Sequence, residues 1–288
     1  MKVTDRVRDL KGRSIFICDV SPPRGSDASY LQPIVNQDAD YISVAYNPGK
    51  AVRMNSALMA CWLKNVAGKD VVFNLATRDM NKLSIQSHLL GARLMGLENV
   101  LVVAGDPFDE RDLSLASEVK DFTPTTLIKS ITAMNQGIDF KGSKLSGPTD
   151  ICVGAAVDLS RDLKWEAKLT HRKVLSGAHF LISQPIFHLE QINNFLRVYR
   201  AVNGTELTAP VFWGIYITQQ DAIMFGDLPE DMKRDVEEGR SGLEIALELF
   251  AKLRAAGFHT IYLMPPIFKN GARNYAASQE LVTAARRL

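Results

Sequence analysis

The chain has 288 residues, 46% hydrophobic and 23% charged, with a formal net charge of +2. This is an ordinary globular composition with enough apolar residues for a large core. The near-balance of charge gives no electrostatic case for nucleic acid or an anionic membrane surface.

The N-terminus, MKVTDRVRDLKGR, is charged and lacks the apolar core of a signal peptide. No apolar stretch approaches the ~20 residues that span a bilayer, so the expectation is a soluble, cytoplasmic protein. SIFICDV then reads as a strand and ASYLQPIVNQ as a short helix interrupted by Pro33. YISVAY is a second strand. NSALMACWLKNVAG is a helix with Asn55 as N-cap and Gly68 as its stop. VVFNLAT, a helix over MNKLSIQSHLLGARLMG that ends at Gly96, and NVLVVAGD follow. NVLVVAGD has the nearly continuous apolar run of a strand covered on both faces. Residues 107–122 are polar and aperiodic. TPTTLIKSITAMNQG is a helix with Thr123 as N-cap and Pro124 at its first position, and residues 138–150 form a polar loop. ICVGAAVD, LKWEAKLTHRKVLSG, HFLISQP, LEQINNFLRVYRAVN and PVFWGIYI continue the rhythm. A mixed polar stretch precedes GLEIALELFAKLRAAG, TIYLMPP and NYAASQELVTAARRL.

About eight strand–helix units fill residues 1–288 without a Pro/Gly/Ser-rich linker, which predicts one domain, a single (β/α)8 TIM barrel. An open doubly wound sheet would want a Gly-rich turn after its first strand. The turn here is SPPRGSD, with no GxGxxG.

Cys18, Cys61 and Cys152 are widely spaced, without a CxxC or Cys/His pair, so neither a zinc site nor a disulfide framework is supported. A barrel carries its chemistry at the C-terminal ends of its strands. Asp19 ends the first strand, where it reads either as a turn-capping acid or as a buried carboxyl whose charged form is disfavoured, hence a general acid. Asp106 follows the fourth strand, as a turn residue before Pro107 or as a ligand contact, and Gly105 would let a ligand approach the backbone. Gln184 offers one acceptor and two donors, suited to a heterocycle edge or to a loop backbone. His171, Arg172 and Lys173 lie near a helix C-terminus, where cations complement the dipole or bind phosphate. His88, His179, His188 and His259 form no metal spacing, and His88 reads as a helix residue that contributes to packing or solvation.

PPRGSD, NSALMACWL, TRDMNKLSIQSHLLGARLMGLENVLVVAGDP, LIKSITAMNQGIDFKGSKL, VGAAVD and KVLSGAHFLISQPIF, in this order, resemble the methylenetetrahydrofolate reductase family over residues 12–268. The nearest likeness is to the reductase half of bacterial bifunctional homocysteine methyltransferase/methylenetetrahydrofolate reductases. The resemblance implies a barrel that carries FAD and reduces 5,10-methylenetetrahydrofolate to 5-methyltetrahydrofolate with NADH or NADPH. Nicotinamide and folate would use the same face in turn, within one-carbon metabolism and methionine biosynthesis. It implies Asp19, where the family more commonly has Glu, as the catalytic acid that assists opening of the folate imidazolidine ring. Cofactor contacts fall on Tyr46, Asn74, Arg78, Gly105, Asp106, Ala156, Arg172 and Lys173. Folate contacts fall on Asp19, Asp106, Gln184 and, near the last strand, Lys269. Ser183 stands where the family has Thr.

Ala45, Asn74, Ala104 and Ala156 replace the polar Thr, His, Arg and Tyr of the family pattern, and each lost hydrogen bond costs roughly 0.5–1.5 kcal/mol unless replaced. Arg78 and Asp79 are the available substitutes. The departures motivate an alternative: a flavin-less folate-binding or accessory subunit in methyl transfer. The same redox step run oxidatively is a third reading. A tetrahydrofolate derivative is the expected partner, and a homo-oligomer or a partner subunit is compatible with the sequence.

Overall fold

The eight apolar runs form eight parallel strands: β1 (Ile15–Val20), β2 (Tyr41–Val44), β3 (Val71–Ala76), β4 (Asn99–Val103), β5 (Cys152–Val157), β6 (Phe180–Pro185), β7 (Val211–Tyr216) and β8 (Thr260–Met264). They pair in chain order and close into a barrel, β1 meeting β8 with Ile15 opposite Thr260 and β2 with Ile17 opposite Tyr41. The computed structural model describes residues 1–223 and 228–288. The expected (β/α)8 architecture is therefore present.

Helices α1 (Val3–Arg8), α2 (Gln32–Val35), α3 (Ser56–Asn65), α4 (Lys82–Leu94), α5 (Glu110–Leu113), α6 (Pro124–Asn135), α7 (Leu163–Leu175), α8 (Leu189–Asn203), α9 (Glu230–Glu237), α10 (Gly242–Ala255) and α11 (Tyr275–Ala285), with short 3-10 helices at Ala28–Leu31 and Pro48–Lys50, complete the described elements. Their starts follow local chemistry. Asn55 accepts from the Ala57 and Leu58 amides at the head of α3, and Thr123 closes a capping box on α6 with Pro124 in the first turn. The aperiodic stretch 107–122 holds only the one-turn α5. The mixed polar stretch after β7 holds α9, while its residues 224–227 lie outside the described ones.

Side chains alternate across each strand. Phe16, Cys18 and Val20 point outward into the apolar layer shared with the helices. Ile15 and Ile17 point inward, meeting Tyr41, Val72, Leu101, Phe180, Phe212 and Tyr262 in the barrel interior. Helix α1 plugs the bottom of this interior through the fully buried Val3, whose amide donates to Asn99 Oδ1 at 2.8 Å.

The wall is regular except between β6 and β7, where the register shifts between Ile182 and Pro185. Gly214 sits opposite, so close that a Cβ there would stand 2.7 Å from the Gln184 carbonyl oxygen. The Ser183 hydroxyl accepts from the Gly214 amide and donates to the Gln184 carbonyl, both at 2.8 Å. This irregularity turns Gln184 out onto the rim, as bulges beside sites do.

Candidate active site

The inward stripe of β1 is Ile15, Ile17, Asp19, so the alternation that fills the core also carries a carboxylate into the top of the barrel. Asp19 is 7% exposed. Its Oδ1 accepts from the Tyr262 hydroxyl at 2.8 Å, and its Oδ2 is ion-paired with Arg273. Ser43 lies beside the Tyr262 hydroxyl and donates to Asn74 Oδ1 at 3.2 Å. Asp19, Tyr262, Ser43 and Asn74 thus form a continuous polar chain in the upper barrel interior. Burial, reinforced by the Asp19 charge, pushes the Tyr262 phenol well up, so it acts there as a hydrogen-bond donor.

Asn74 also faces a cleft of about 780 Å³ over the C-terminal ends of β2–β6, within the ~300–1,000 Å³ of small-molecule and cofactor sites. Its floor is small and apolar: Ala45, Val102, Ala104, Gly105, Ala156 and Val157. Gly105 has φ +89°, and an added Cβ would meet the Ala76 and Arg78 Cβ atoms at 3.3 Å, so the turn admits glycine alone without strain. Tyr46 and Trp165 supply aromatic faces, and Thr125 and Thr126 present the start of α6.

One wall of the cleft comes from α7. Glu166 and Lys173 lie two turns apart on its inner face and are buried. Lys173 Nζ donates to the Ala156 carbonyl at 2.6 Å and stands 3.7 Å from Glu166 Oε1. Burial pushes the Glu166 carboxyl up and the Lys173 ammonium down, and each charge pulls the other partly back. Glu166 Oε2 is buried without a well-formed hydrogen bond, approached only loosely by the Asp158 backbone. An orphaned acceptor on a cleft wall is ready for a hydroxyl or amide of a ligand.

Of the residues singled out from the sequence, Tyr46, Asn74, Gly105, Asp106, Ala156, Arg172, Lys173 and Gln184 line this one cleft. Asp19 lies in the polar layer beside it. Arg78 does not line the cleft: it pairs with Asp79 at 2.6 Å, donates to the Asp106 carbonyl and stacks on Phe108 with its guanidinium carbon 4.2 Å from the ring centroid. There it shapes the β4 loop that carries Gly105. Lys269 is exposed within the 267–273 hairpin, and Arg273 at the hairpin's end reaches the barrel mouth instead.

The cations of α7 separate by helical rotation. His171 Nδ1 is 2.9 Å from the Tyr199 hydroxyl on α8, Arg172 lines the cleft, and Lys173 is buried. His88 packs edge-on against Phe73, as a packing residue should. Residues the sequence did not point to are Tyr262, Arg273 and Glu166. The seven-residue spacing of Glu166 and Lys173, one face of a helix, was the available signal for that pair. Among the described residues no cluster of three or more His, Cys, Asp or Glu could hold a metal ion, and no helix is long and apolar enough to cross a membrane.

A family model for methylenetetrahydrofolate reductase matches residues 2–224. The chain belongs to the methylenetetrahydrofolate reductase family. The matched span includes Asp19 and the whole cleft; Tyr262 and Arg273 lie beyond it. Among solved structures, an uncharacterized protein from Clostridium thermocellum, described as binding two copies of 5-methyl-5,6,7,8-tetrahydrofolic acid, superposes with a TM-score of 0.67 at 13% identity, over 98% of this chain and 99% of that one. A 2,3-dimethylmalate lyase of the PEP mutase/isocitrate lyase superfamily superposes with a TM-score of 0.53 at 12% identity, over 100% of this chain and 86% of its own. At these identities both likenesses speak for the barrel fold alone.

Proposed function

We propose that this family member reduces 5,10-methylenetetrahydrofolate to 5-methyltetrahydrofolate with NADH or NADPH and a bound FAD. The observation that carries the reading is the single cleft that gathers Tyr46, Asn74, Asp106, Arg172, Lys173 and Gln184 beside the buried Asp19. Overall, the methylene carbon gains a hydride, nicotinamide is oxidised, and one proton is taken up.

The residues present suit a flavin. The small floor and Gly105 leave a slot for a planar ring, Glu166 Oε2 is an unspent acceptor for a hydroxyl, and the exposed Arg172 is a cation for a phosphate. When bound there, FAD supplies a two-electron relay between nicotinamide and folate that no side chain can provide. Tyr46, Asn74, Gly105, Asp106, Glu166, Arg172 and Lys173, with the Ala156 backbone, are the residues to hold it. Gln184, on the rim, offers both hydrogen-bond senses to a pterin edge. Asp19 is assigned the proton at the folate, and Tyr262 and Arg273 hold its two oxygens in place. The C. thermocellum neighbour, with methyltetrahydrofolate bound on the same fold, supports the folate half of the reading.

Ala45, Ala104 and Ala156 on the cleft floor favour one alternative, a folate-binding subunit without flavin. One experiment decides between them. The purified protein, with and without added FAD, is expected to show visible flavin absorbance that NADH or NADPH bleaches anaerobically and methylenetetrahydrofolate restores. A colourless protein that takes up neither FAD nor FMN, yet binds methyltetrahydrofolate, would establish the accessory reading instead.

A further inference from the structure

The polar chain in the upper barrel interior joins Asp19 to the cleft. Asp19 and Ser43 stand opposite each other in the β1–β2 ladder, and Asn74 lies two residues beyond Val72, the β3 partner of Ser43. The side chains of all three therefore point into the same inward layer. Tyr262 of β8 links the first two: its hydroxyl donates to Asp19 Oδ1 at 2.8 Å and meets the Ser43 hydroxyl. Ser43 Oγ lies 3.2 Å from Asn74 Oδ1. Ser43 is fully buried and the other three are at most 9% exposed, so bulk solvent competes little for these bonds. Asn74 lines the cleft, and its Nδ2 has no hydrogen-bond partner among the described residues.

A count of protons constrains this chain. Its three contacts, Asp19–Tyr262, Tyr262–Ser43 and Ser43–Asn74, need one proton each, and the two hydroxyls own one each. The third must come from an end. When Asp19 is ionised, Tyr262 donates to it and Ser43 donates to Tyr262. Asn74 then fills the last contact with its Nδ2–H and turns Oδ1 to the cleft. When Asp19 is protonated, every bond reverses. Asp19 donates to Tyr262, Tyr262 to Ser43 and Ser43 to Asn74 Oδ1, and Nδ2 faces the cleft. Buried chains of this kind polarise cooperatively, and a contact left without a proton is costly. The groups that face Asp19 are Tyr262 from β8, Arg273 from the hairpin and Tyr275 from α11, while its β1 neighbour Cys18 points outward. Arg273 favours the ionised sense, and Tyr262 is the group that passes it on to Ser43.

We infer that Asp19 and Asn74 are the two ends of one proton-ordered chain through Tyr262 and Ser43, so that the protonation of Asp19 sets whether Asn74 offers an acceptor or a donor to a ligand in the cleft. Tyr262 and Ser43 are positioning residues in this chain. The ligand that reads it is a heterocycle with a polar edge, and its identity as a flavin rests on the reading above. Linkage makes the effect reciprocal: a ligand that selects one sense of the Asn74 amide biases the proton at Asp19.

The test uses the whole chain, first without ligand and then with FAD. Arg273 holds one oxygen of residue 19, so Asp19→Asn turns an amide nitrogen toward Tyr262 and mimics the protonated acid. The side-chain amide resonance of Asn74, assigned by its loss in Asn74→Asp, is expected to shift between wild type and Asp19→Asn. The same substitution made in a Ser43→Ala background should leave that resonance unmoved. FAD affinity should change about tenfold with Asp19→Asn, and should not respond to it once Ser43→Ala is present. If Ser43→Ala does not fold, Tyr262→Phe breaks the chain one link earlier and carries the same expectation. An amide that responds in a protein that refuses FAD would keep the inference and sink the flavin reading. An amide that ignores Asp19→Asn, or responds equally without the Ser43 hydroxyl, would overturn the inference. So would bound FAD whose affinity is indifferent to Asp19→Asn.

Discussion

Between β2 and β6 the barrel mouth is open and its floor is made of alanine, glycine and valine. Between β8 and β1 it is closed by a carboxylate whose two oxygens are held by a phenol and a guanidinium. The open side has little to bond with itself: its floor is bare and its one buried acid, Glu166, keeps an oxygen unspent. The closed side is bonded to the point that both Asp19 oxygens are occupied. A barrel can thus keep an open arc and an internally bonded arc on one rim. The open arc relies on room and the closed arc on the bonds that hold Asp19.

The largest effect should come from Asp19→Asn. The amide keeps the shape and loses the capacity to carry a charge or exchange a proton. Reduction of bound flavin by NADPH in stopped flow should persist, while reoxidation by methylenetetrahydrofolate slows by roughly 10²- to 10⁴-fold. Equal loss in both half-reactions would erase the division between the arcs. Arg273→Met should come next, because it leaves the buried Asp19 charge without its cation. Urea titration should report about 3–5 kcal/mol of destabilisation, and the double variant with Asp19→Asn should recover part of it. A change under about 1 kcal/mol would mean the closed arc is not held by this pair.

Gly105→Ala sharpens the other arc. The left-handed backbone costs an alanine roughly 1–2 kcal/mol, and its Cβ would crowd Ala76 and Arg78. A thermal midpoint a few degrees lower and about tenfold weaker FAD loading are expected, and unaltered loading would place the flavin elsewhere. The smallest effect is a control away from both arcs. Burial lowers the pKa of His88, so near pH 6 the unfolded chain binds a proton that the folded chain refuses. Stability is full above about pH 6.5 and falls as the pH drops through that value. Thermal midpoints at pH 7.5 and 5.5 should differ less in His88→Gln than in wild type. The remaining slope includes His179, which burial also depresses.

The open arc was largely legible in the sequence, because it is made of residues that directly follow apolar runs. Once NVLVV is read as a strand, Gly105 and Asp106 must stand at its mouth, and HFLIS does the same for Gln184. The closed arc was half legible. Asp19 stood out as an acid inside an apolar run, but its partners come from β8 and from a hairpin beyond it. No local pattern tells which of Lys269 and Arg273 folds back, since that depends on the pairing of Ile267 with Arg273 across the hairpin. Glu166 was hidden for a different reason. A helix rich in charge reads as a solvated face, and the spacing of Glu166 and Lys173 puts them on one stripe without saying that this stripe turns inward. The fold itself was the most legible part, because eight buried parallel strands leave eight apolar runs that are hard to read otherwise.

The seam at Gly214 has a consequence for how the rim is kept in aim. The Gly214 amide, like those of Phe16 and Val153, is held by a side chain, in its case the Ser183 hydroxyl. Deuterium uptake at Gly214 should therefore answer to the Ser183 side chain as well as to the opening of the sheet. The family pattern has threonine where this chain has serine, and the hydroxyl is what the two share. A substitution that spares that oxygen is silent to Gln184. One that removes it unlatches the wall beneath Gln184 while leaving every residue of the cleft unchanged.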